Sequence, residues 1–141
     1  MKFVCFYLMI LLVGCNPFRN FKSSQFNAGD KTLALSVPPR YIKQELRTDS
    51  AGNTIQVYNY GDGAYLYFGT VKDSIDLQQI DREKNIPKPH INGGLFYKGV
   101  DANGLFWQEV QNGNLRYGYK NINRDNEIKF DSAVNFVRII R

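Results

Sequence analysis

The sequence contains little cysteine, histidine or tryptophan: of 141 residues, two are Cys, one is His and one is Trp. Both cysteines, Cys5 and Cys15, lie within the first fifteen residues, so the rest of the chain has no thiol for a disulfide, a cysteine metal site or thiol catalysis. His90 has no second histidine with which to form a metal pair or a proton relay, and its proline-rich surroundings favour an exposed ring. We therefore expect neither a metal nor a cofactor.

Sequence motifs of catalysis are also absent. The chain has no G-x-S-x-G elbow, no P-loop and no H-E-x-x-H pair. Its central acidic residues are not spaced as paired catalytic carboxylates or as a calcium loop; they are Asp62, Asp73, Asp76, Asp81 and Glu83. Glu109 and Arg116, on adjacent predicted strands, are interpreted as a structural ion pair. The sequence therefore favours a non-catalytic protein, with an enzyme of unknown class as the weaker alternative.

The chain has only a moderate excess of positive charge. Eighteen Lys and Arg residues against thirteen Asp and Glu residues leave a net charge of +5, and the basic residues are scattered. Nucleic-acid-binding segments concentrate their cations in one patch, so we interpret these as a solubilising surface and expect no nucleic-acid partner. An anionic membrane or cell-wall surface would suit this charge.

No apolar run is long enough to cross a bilayer as a helix, which takes about 18–20 residues. The longest run, residues 3–13, has 11 residues, follows the single cation Lys2 and leads into Leu12-Val13-Gly14-Cys15. A basic start, a short apolar core and a small residue at its end are the layout of a secretory signal. This stretch resembles the signal peptide and lipobox of bacterial lipoproteins, in which the cysteine becomes the lipidated first residue.

The resemblance implies that residues 1–14 are a signal peptide that is removed and that Cys15 carries a diacylglycerol. In many bacteria the new amino group is acylated too, and two or more acyl chains hold a protein stably on a membrane. The expected location is therefore the cell envelope, with the domain facing the periplasm or the cell exterior. Asn16 replaces the aspartate that favours inner-membrane retention in some bacteria, so the outer membrane is preferred.

Residues 15–31 are predicted to be the lipidated N-terminus and a flexible tether, because their Asn, Ser, Gln and Gly residues show no regular period. The phenylalanines in this segment allow two interpretations. Either they enter the lipid interface beside the basic residues, or Phe26 packs on the edge of the domain. The folded domain would then cover residues 32–141 as one unit.

Alternating and β-branched residues predict strands at 32–37, 41–47, 54–60, 64–71, 95–100, 105–110 and 115–120, with a short helix as the alternative for 41–47. Hairpin signals separate several of them, notably Gly61-Asp62-Gly63 and the Asn-Gly pair at 112–113, which is typical of a type I′ turn. The chain is therefore rich in antiparallel strands.

Helical spacing occurs at two places. Near the C-terminus, a helix over 127–137 would place Phe130, Ala133, Val134 and Val137 on one face, and residues 137–140 either continue it or form a last strand. In the 72–94 segment, Asp73 or Ser74 caps a short helix, before Pro87 and Pro89 impose a loop. A loop of this length is a common place for function.

The predicted fold is α+β: a twisted antiparallel sheet of six to seven strands, a C-terminal helix packed on one face and a short helix in the middle. Residues 35–41 (LSVPPRY) and 130–136 (FDSAVNF) are similar to the start and the end of PsbP-like domains. That resemblance covers only the two ends. It implies a fold and transfers no functional residue.

Aromatic residues alternate with others along the predicted strands. If the strand faces coincide, the sheet carries one band of eight rings: Tyr58, Tyr60, Tyr65, Tyr67, Tyr97, Trp107, Tyr117 and Tyr119. Such a band is either a platform on which sugar rings or a peptide stack, or an ordinary sheet face that is half wet or covered by the helix. The second interpretation is favoured, since such alternation is common in sheets.

These observations predict a lipid-anchored envelope protein that acts as a non-catalytic binding or accessory module. Its partners would be the membrane, through Cys15, and an envelope protein or a glycan. The alternative is a glycan- or peptide-binding protein that uses the tyrosine-rich face. A concave pocket with converging polar side chains would instead indicate a small-molecule binder or an enzyme.

Overall fold

The computed structural model of the protein describes residues 20–48, 50–71 and 85–140. In these residues it has ten strands, a 3₁₀ turn and one α-helix. In chain order they are β1 (Lys22–Ala28), β2 (Lys31–Val37), β3 (Lys43–Thr48), β4 (Thr54–Gly61), β5 (Ala64–Thr70), β6 (Lys88–Pro89), β7 (Leu95–Val100), β8 (Phe106–Asn112), β9 (Leu115–Ile122), the 3₁₀ turn (Arg124–Asn126), α1 (Glu127–Asn135) and β10 (Arg138–Ile140).

The strands form a seven-stranded antiparallel sheet in the order β3-β4-β5-β9-β8-β7-β6 and a three-stranded antiparallel sheet in the order β1-β2-β10. In the large sheet, two meanders join through β5 and β9. The predicted α+β fold, with an antiparallel sheet of six to seven strands and a C-terminal helix, is confirmed. The hairpin between β8 and β9 differs in detail, since its two turn residues are Gly113 and Asn114 and only Gly113 has a positive φ, of 55°. That pattern is typical of a type II′ turn.

The small sheet corrects the predicted start of the domain. β1 pairs with β2 along its whole length, from Lys22 opposite Val37 to Ala28 opposite Lys31. Phe26 and Ala28 are buried, so the interpretation of Phe26 as packed on the domain is the right one. The segment predicted to be a tether up to residue 31 therefore contains a strand. The open choice at the C-terminus is decided as well, because β10 completes this sheet.

The hydrophobic core lies between one face of the large sheet and a layer made of α1 and the small sheet. The predicted apolar stripe of the helix is confirmed, because Phe130, Ala133, Val134 and Val137 are all buried. Leu33, Leu35 and Val37 of β2 enter the same core, which buries alternate residues of that strand.

Three of the predictions concern parts of the chain outside the described residues. These are the signal peptide at 1–14, the lipid anchor at Cys15 and the short helix after residue 72. In the described parts of the chain, no helix is long and apolar enough to cross a membrane.

Candidate functional site

The eight aromatic residues of the predicted band lie on two opposite faces of the large sheet. Register places Tyr58 opposite Leu66 and Leu66 opposite Tyr119, whereas Tyr67, one residue along, lies opposite Gly118. Tyr58, Tyr60, Tyr117 and Tyr119 therefore face α1 and the small sheet, while Tyr65, Tyr67, Tyr97 and Trp107 lie on the other face. The prediction of a single aromatic band is wrong.

Most of these rings are also inaccessible. Tyr58, Tyr67, Tyr97, Tyr117 and Tyr119 expose at most 3% of their surface. The Tyr60 hydroxyl donates to the carbonyl oxygen of Pro38 at 2.8 Å. Burial raises the pKa of Tyr117 to about 12, so its phenol stays protonated at neutral pH. A ring that is packed on both sides offers no face to a sugar, so the rings that face α1 belong to the core.

The opposite face carries a buried carboxyl group, Glu109, in the middle of the sheet. The hydroxyl of Tyr67 donates to Glu109 Oε2, and Gln111 Nε2 donates to Oε1 at 2.9 Å. Tyr67 and Glu109 are on strands that flank β9, and each lies opposite Gly118, which has no side chain between them. The predicted pair of Glu109 with Arg116 is not formed; Arg116 Nη1 instead donates to one carbonyl oxygen of the β8–β9 turn and to that of the first residue of β9.

A second polar network joins α1 to the large sheet. Lys98 Nζ lies 2.6 Å from Asp131 Oδ2 and 2.7 Å from Glu127 Oε1, and the Tyr119 hydroxyl donates to Asp131 Oδ1 at 2.6 Å. Burial lowers the pKa of Lys98, but the hydrogen bonds to the two carboxylates outweigh it and raise that pKa overall. Lys98 stays charged and both carboxylates are paired, so this network positions α1 on the sheet.

His90 is buried rather than exposed, with 7% of its surface accessible. Its Nε2 lies 3.3 Å from Asn135 Oδ1, and its Nδ1 accepts a hydrogen bond from the backbone N–H of Asn92 at 3.2 Å. The ring packs edge-on against Phe96 and Tyr117. The proline-rich sequence around it did not indicate this, since the contacts come from the far end of α1 and from the sheet.

We expect acidification to destabilise the domain through His90. Burial lowers the pKa of its imidazole below the ordinary 6.5, so the unfolded chain binds the proton more readily. The free energy of unfolding should be at its full value above about pH 6.5 and should fall as the pH drops below it. Urea unfolding between pH 7.5 and about 5.5, above the range in which carboxylates titrate, measures this. A His90→Gln variant should lose the slope; an unchanged slope would refute the assignment.

A cleft of about 620 Å³ opens at one end of the molecule. Its walls come from the segment before β1, the connection after β2, the β4–β5 turn and the residues that link β9 to α1. The cleft brings together the aromatic rings of Phe21, Tyr60 and Phe130 with four asparagines, which are Asn20, Asn121, Asn123 and Asn126. Its volume falls within the range of ligand pockets, about 300–1,000 Å³. A second cleft, of about 300 Å³, lies beside Lys98.

Backbone strain is concentrated around this cleft. In the described residues, three residues other than glycine have a positive φ: Arg40 at 71°, Asp62 at 51° and Asn121 at 58°. All three line the cleft. Asp and Asn tolerate the left-handed region, but for a residue such as Arg this conformation costs about 1–2 kcal/mol of free energy. Strain of this kind clusters at binding sites, where the surrounding structure holds a residue in an unfavourable conformation.

The charges of the cleft are two cations and one carboxyl group: Arg40, Lys129 and Asp62. Within the described residues Arg40 has no ion-pair partner, and Lys129 Nζ has only the amide oxygen of Asn126, at 3.4 Å. Asn121 Nδ2 donates to the carbonyl oxygen of Gly63 at 2.9 Å and so holds the β4–β5 turn against the end of β9. Among the described residues, the cleft therefore presents two cations that form no ion pair, together with one carboxyl group, so its charged groups carry a net excess of one positive charge.

Comparisons with known proteins assign no function to this cleft. No protein-family model, curated protein or solved structure matches this chain. The similarity of residues 35–41 and 130–136 to PsbP-like domains stays a prediction.

The residues of the cleft were not among the predicted site residues. They come from turns that are far apart in the sequence. The pairing of β5 with β9 brings the β4–β5 turn to the residues after β9, and the hydrogen bond from Tyr60 to Pro38 joins the connection after β2 to them. One signal was present: Pro38-Pro39-Arg40 ends β2 abruptly and leaves a cation in a connection of irregular structure. The predicted site residues and this cleft share one member, Tyr60.

Proposed function

We propose that this chain is a lipid-anchored protein of the bacterial cell envelope that binds a polar, negatively charged ligand in the cleft and has no catalytic activity. Support for the anchor comes from the sequence alone, from the basic start, the short apolar run and Leu12-Val13-Gly14-Cys15. The observation that carries the binding function is that the cleft is lined by the three described residues other than glycine with a positive φ, Arg40, Asp62 and Asn121.

The chemistry of the cleft favours an anion with hydrogen-bonding groups. The guanidinium of Arg40 and the ammonium of Lys129 are free to form charge-assisted hydrogen bonds, and the asparagine side chains offer donors and acceptors. The aromatic rings provide an apolar surface beside them. The lining as a whole is more polar than apolar, which favours a polar, charged ligand over an apolar one.

The titratable groups of the cleft favour binding over catalysis. The Tyr60 hydroxyl is engaged with Pro38, and burial raises the pKa of that phenol well above its ordinary value. Asp62 is the one carboxyl group of the cleft, without a second one to share acid and base roles. A nucleophile beside a base, which covalent catalysis requires, is not among the lining residues.

Photo-crosslinking in intact cells tests the binding function. With benzoylphenylalanine at Asn123, an exposed residue of the cleft, we expect a covalent adduct that mass spectrometry can identify. The same residue at Asn114, which is exposed in the β8–β9 turn, is the matched control and should give none. Combining Asn123 labelling with Arg40→Gly and Lys129→Ala should reduce the adduct at least about tenfold, since two charge-assisted contacts exceed 1.4 kcal/mol.

Arg40→Gly is chosen because glycine keeps the left-handed backbone of residue 40 while the charge is removed. Equal labelling at both positions, or no labelling at Asn123, would overturn the binding function. The anchor is tested in the same cells: Cys15→Ala should move the protein out of the membrane fraction, and an unmodified Cys15 with an intact Met1 would overturn the lipoprotein assignment.

A further inference from the structure

One wall of the cleft is made by residues that lie close in sequence to the expected anchor. Asn20 and Phe21 line the cleft, and Cys15 is five residues before Asn20. Five residues reach at most about 18 Å when fully extended, and about 12 Å as a flexible chain. A headgroup layer is itself about 5–7 Å thick. Because β1 begins at Lys22 and not near residue 31, the tether is too short to hold this end of the domain far from the lipid.

The groups around the cleft suit an anionic lipid surface. Three exposed cations lie at this end of the molecule: Arg40, Lys129 and Lys22. Lys22 follows Phe21 of the cleft directly. Each Lys or Arg near an anionic membrane contributes about 1 kcal/mol of attraction. An exposed apolar side chain accompanies them: Ile42 is 74% exposed and lies beside Gly61 of the cleft. Apolar side chains among cations are typical of surfaces that lie in the lipid interface.

We propose that the cleft binds the phosphodiester headgroup of an anionic phospholipid in the same membrane that holds the Cys15 anchor. The guanidinium of Arg40 and the ammonium of Lys129 pair with the phosphate, and the asparagine side chains hydrogen-bond to the polar part of the headgroup. The domain then rests on the bilayer with the cleft towards it, and the β1–β2 turn points away. This inference rests on the proposed function, since it names the ligand and where the ligand is found.

Hydrogen exchange on the lipidated full-length protein in nanodiscs tests the inference. In discs of phosphatidylcholine that contain phosphatidylglycerol, backbone amides of residues 40, 61–64 and 121–126 should exchange at least about tenfold more slowly than in discs of phosphatidylcholine alone. The Arg40→Gly, Lys129→Ala double variant should lose this protection. The matched control, Lys31→Ala with Lys88→Ala, removes two exposed cations that do not line the cleft and should keep it.

A further arm of the hydrogen-exchange experiment distinguishes a lipid headgroup from a free phosphate ester as the ligand. Soluble glycerol phosphate, added to the discs of phosphatidylcholine alone, should not reproduce the protection. Full protection by the soluble ester would overturn the membrane source, although a cleft ligand would remain. Equal loss in both double variants would overturn a specific site in favour of general charge attraction. No protection in any disc would overturn the inference, while an adduct at Asn123 in cells would still support the proposed function.

Discussion

Replacing Gly118 by alanine should prevent folding, or lower the free energy of unfolding by roughly 3 kcal/mol or more. Gly118 lies in the middle of β9, between two neighbouring strands. An added Cβ would lie 1.9 Å from the carbonyl oxygen of Gln108 and 2.9 Å from the Cα of Glu109. Both are backbone atoms of β8, so no side-chain rotation can relieve the clash, and the centre of the large sheet must shift.

Urea unfolding followed by circular dichroism measures this effect, with Gly104→Ala as the control. Gly104 lies in the turn between β7 and β8, has a positive φ of 77°, and a Cβ there meets nothing within 4 Å, so alanine costs only the penalty of the positive φ, about 1–2 kcal/mol. If Gly118→Ala is as stable as Gly104→Ala, the close approach of β8 to β9 in this structure is wrong. The same missing side chain leaves room for Tyr67 to reach Glu109, so a loosened variant should also change the environment of that tyrosine.

Replacing Phe130 by alanine should lower the free energy of unfolding by about 3–5 kcal/mol, a large part of the total stability of a domain. Phe130 exposes 4% of its surface, and its ring centroid lies 4.8 Å from that of Tyr60 and 5.8 Å from that of Tyr119. Removing the ring leaves a cavity between α1 and the large sheet. Because Phe130 and Tyr60 also line the cleft, crosslinking at Asn123 should fall as well.

Phe136→Ala is the matched control, since Phe136 has the same side chain one residue after α1 and is 56% exposed. Truncating it should cost less than about 1 kcal/mol and should leave crosslinking at Asn123 unchanged. Equal destabilisation by the two substitutions, measured in urea, would contradict the placement of Phe130 in the core.

The strands of the large sheet and α1 were predictable because their signals are local. Glycine turns, alternating residues and the i, i+3, i+4, i+7 spacing from Phe130 to Val137 each depend on a few adjacent residues. β1 was missed because its sequence, KSSQFNA, is polar at five of seven positions, and Phe26 and Ala28 are its only buried residues. A strand with so few apolar residues is stabilised by its pairing with β2 and not by its own pattern.

The prediction of a single aromatic band was wrong for a different reason. Alternation correctly places Tyr58 with Tyr60 and Tyr65 with Tyr67 on common sides of their own strands. It does not say which side of one strand meets which side of the next, and a shift of one residue exchanges the faces. The observed register places Tyr58 opposite Leu66, so the tyrosines of β4 and β5 face in opposite directions.

By itself, the sequence determined the α+β class, the main strands of the large sheet, the helix with its buried stripe and the expectation of a lipid anchor at Cys15, because each depends on neighbouring residues. The tertiary structure alone decided which tyrosines are core, that His90 is buried and that β1 occupies part of the segment predicted to be a tether. It alone placed Arg40, Asp62, Asn121 and Lys129 around one cleft. These features depend on strand register and on contacts between residues far apart in the chain, which local patterns do not encode.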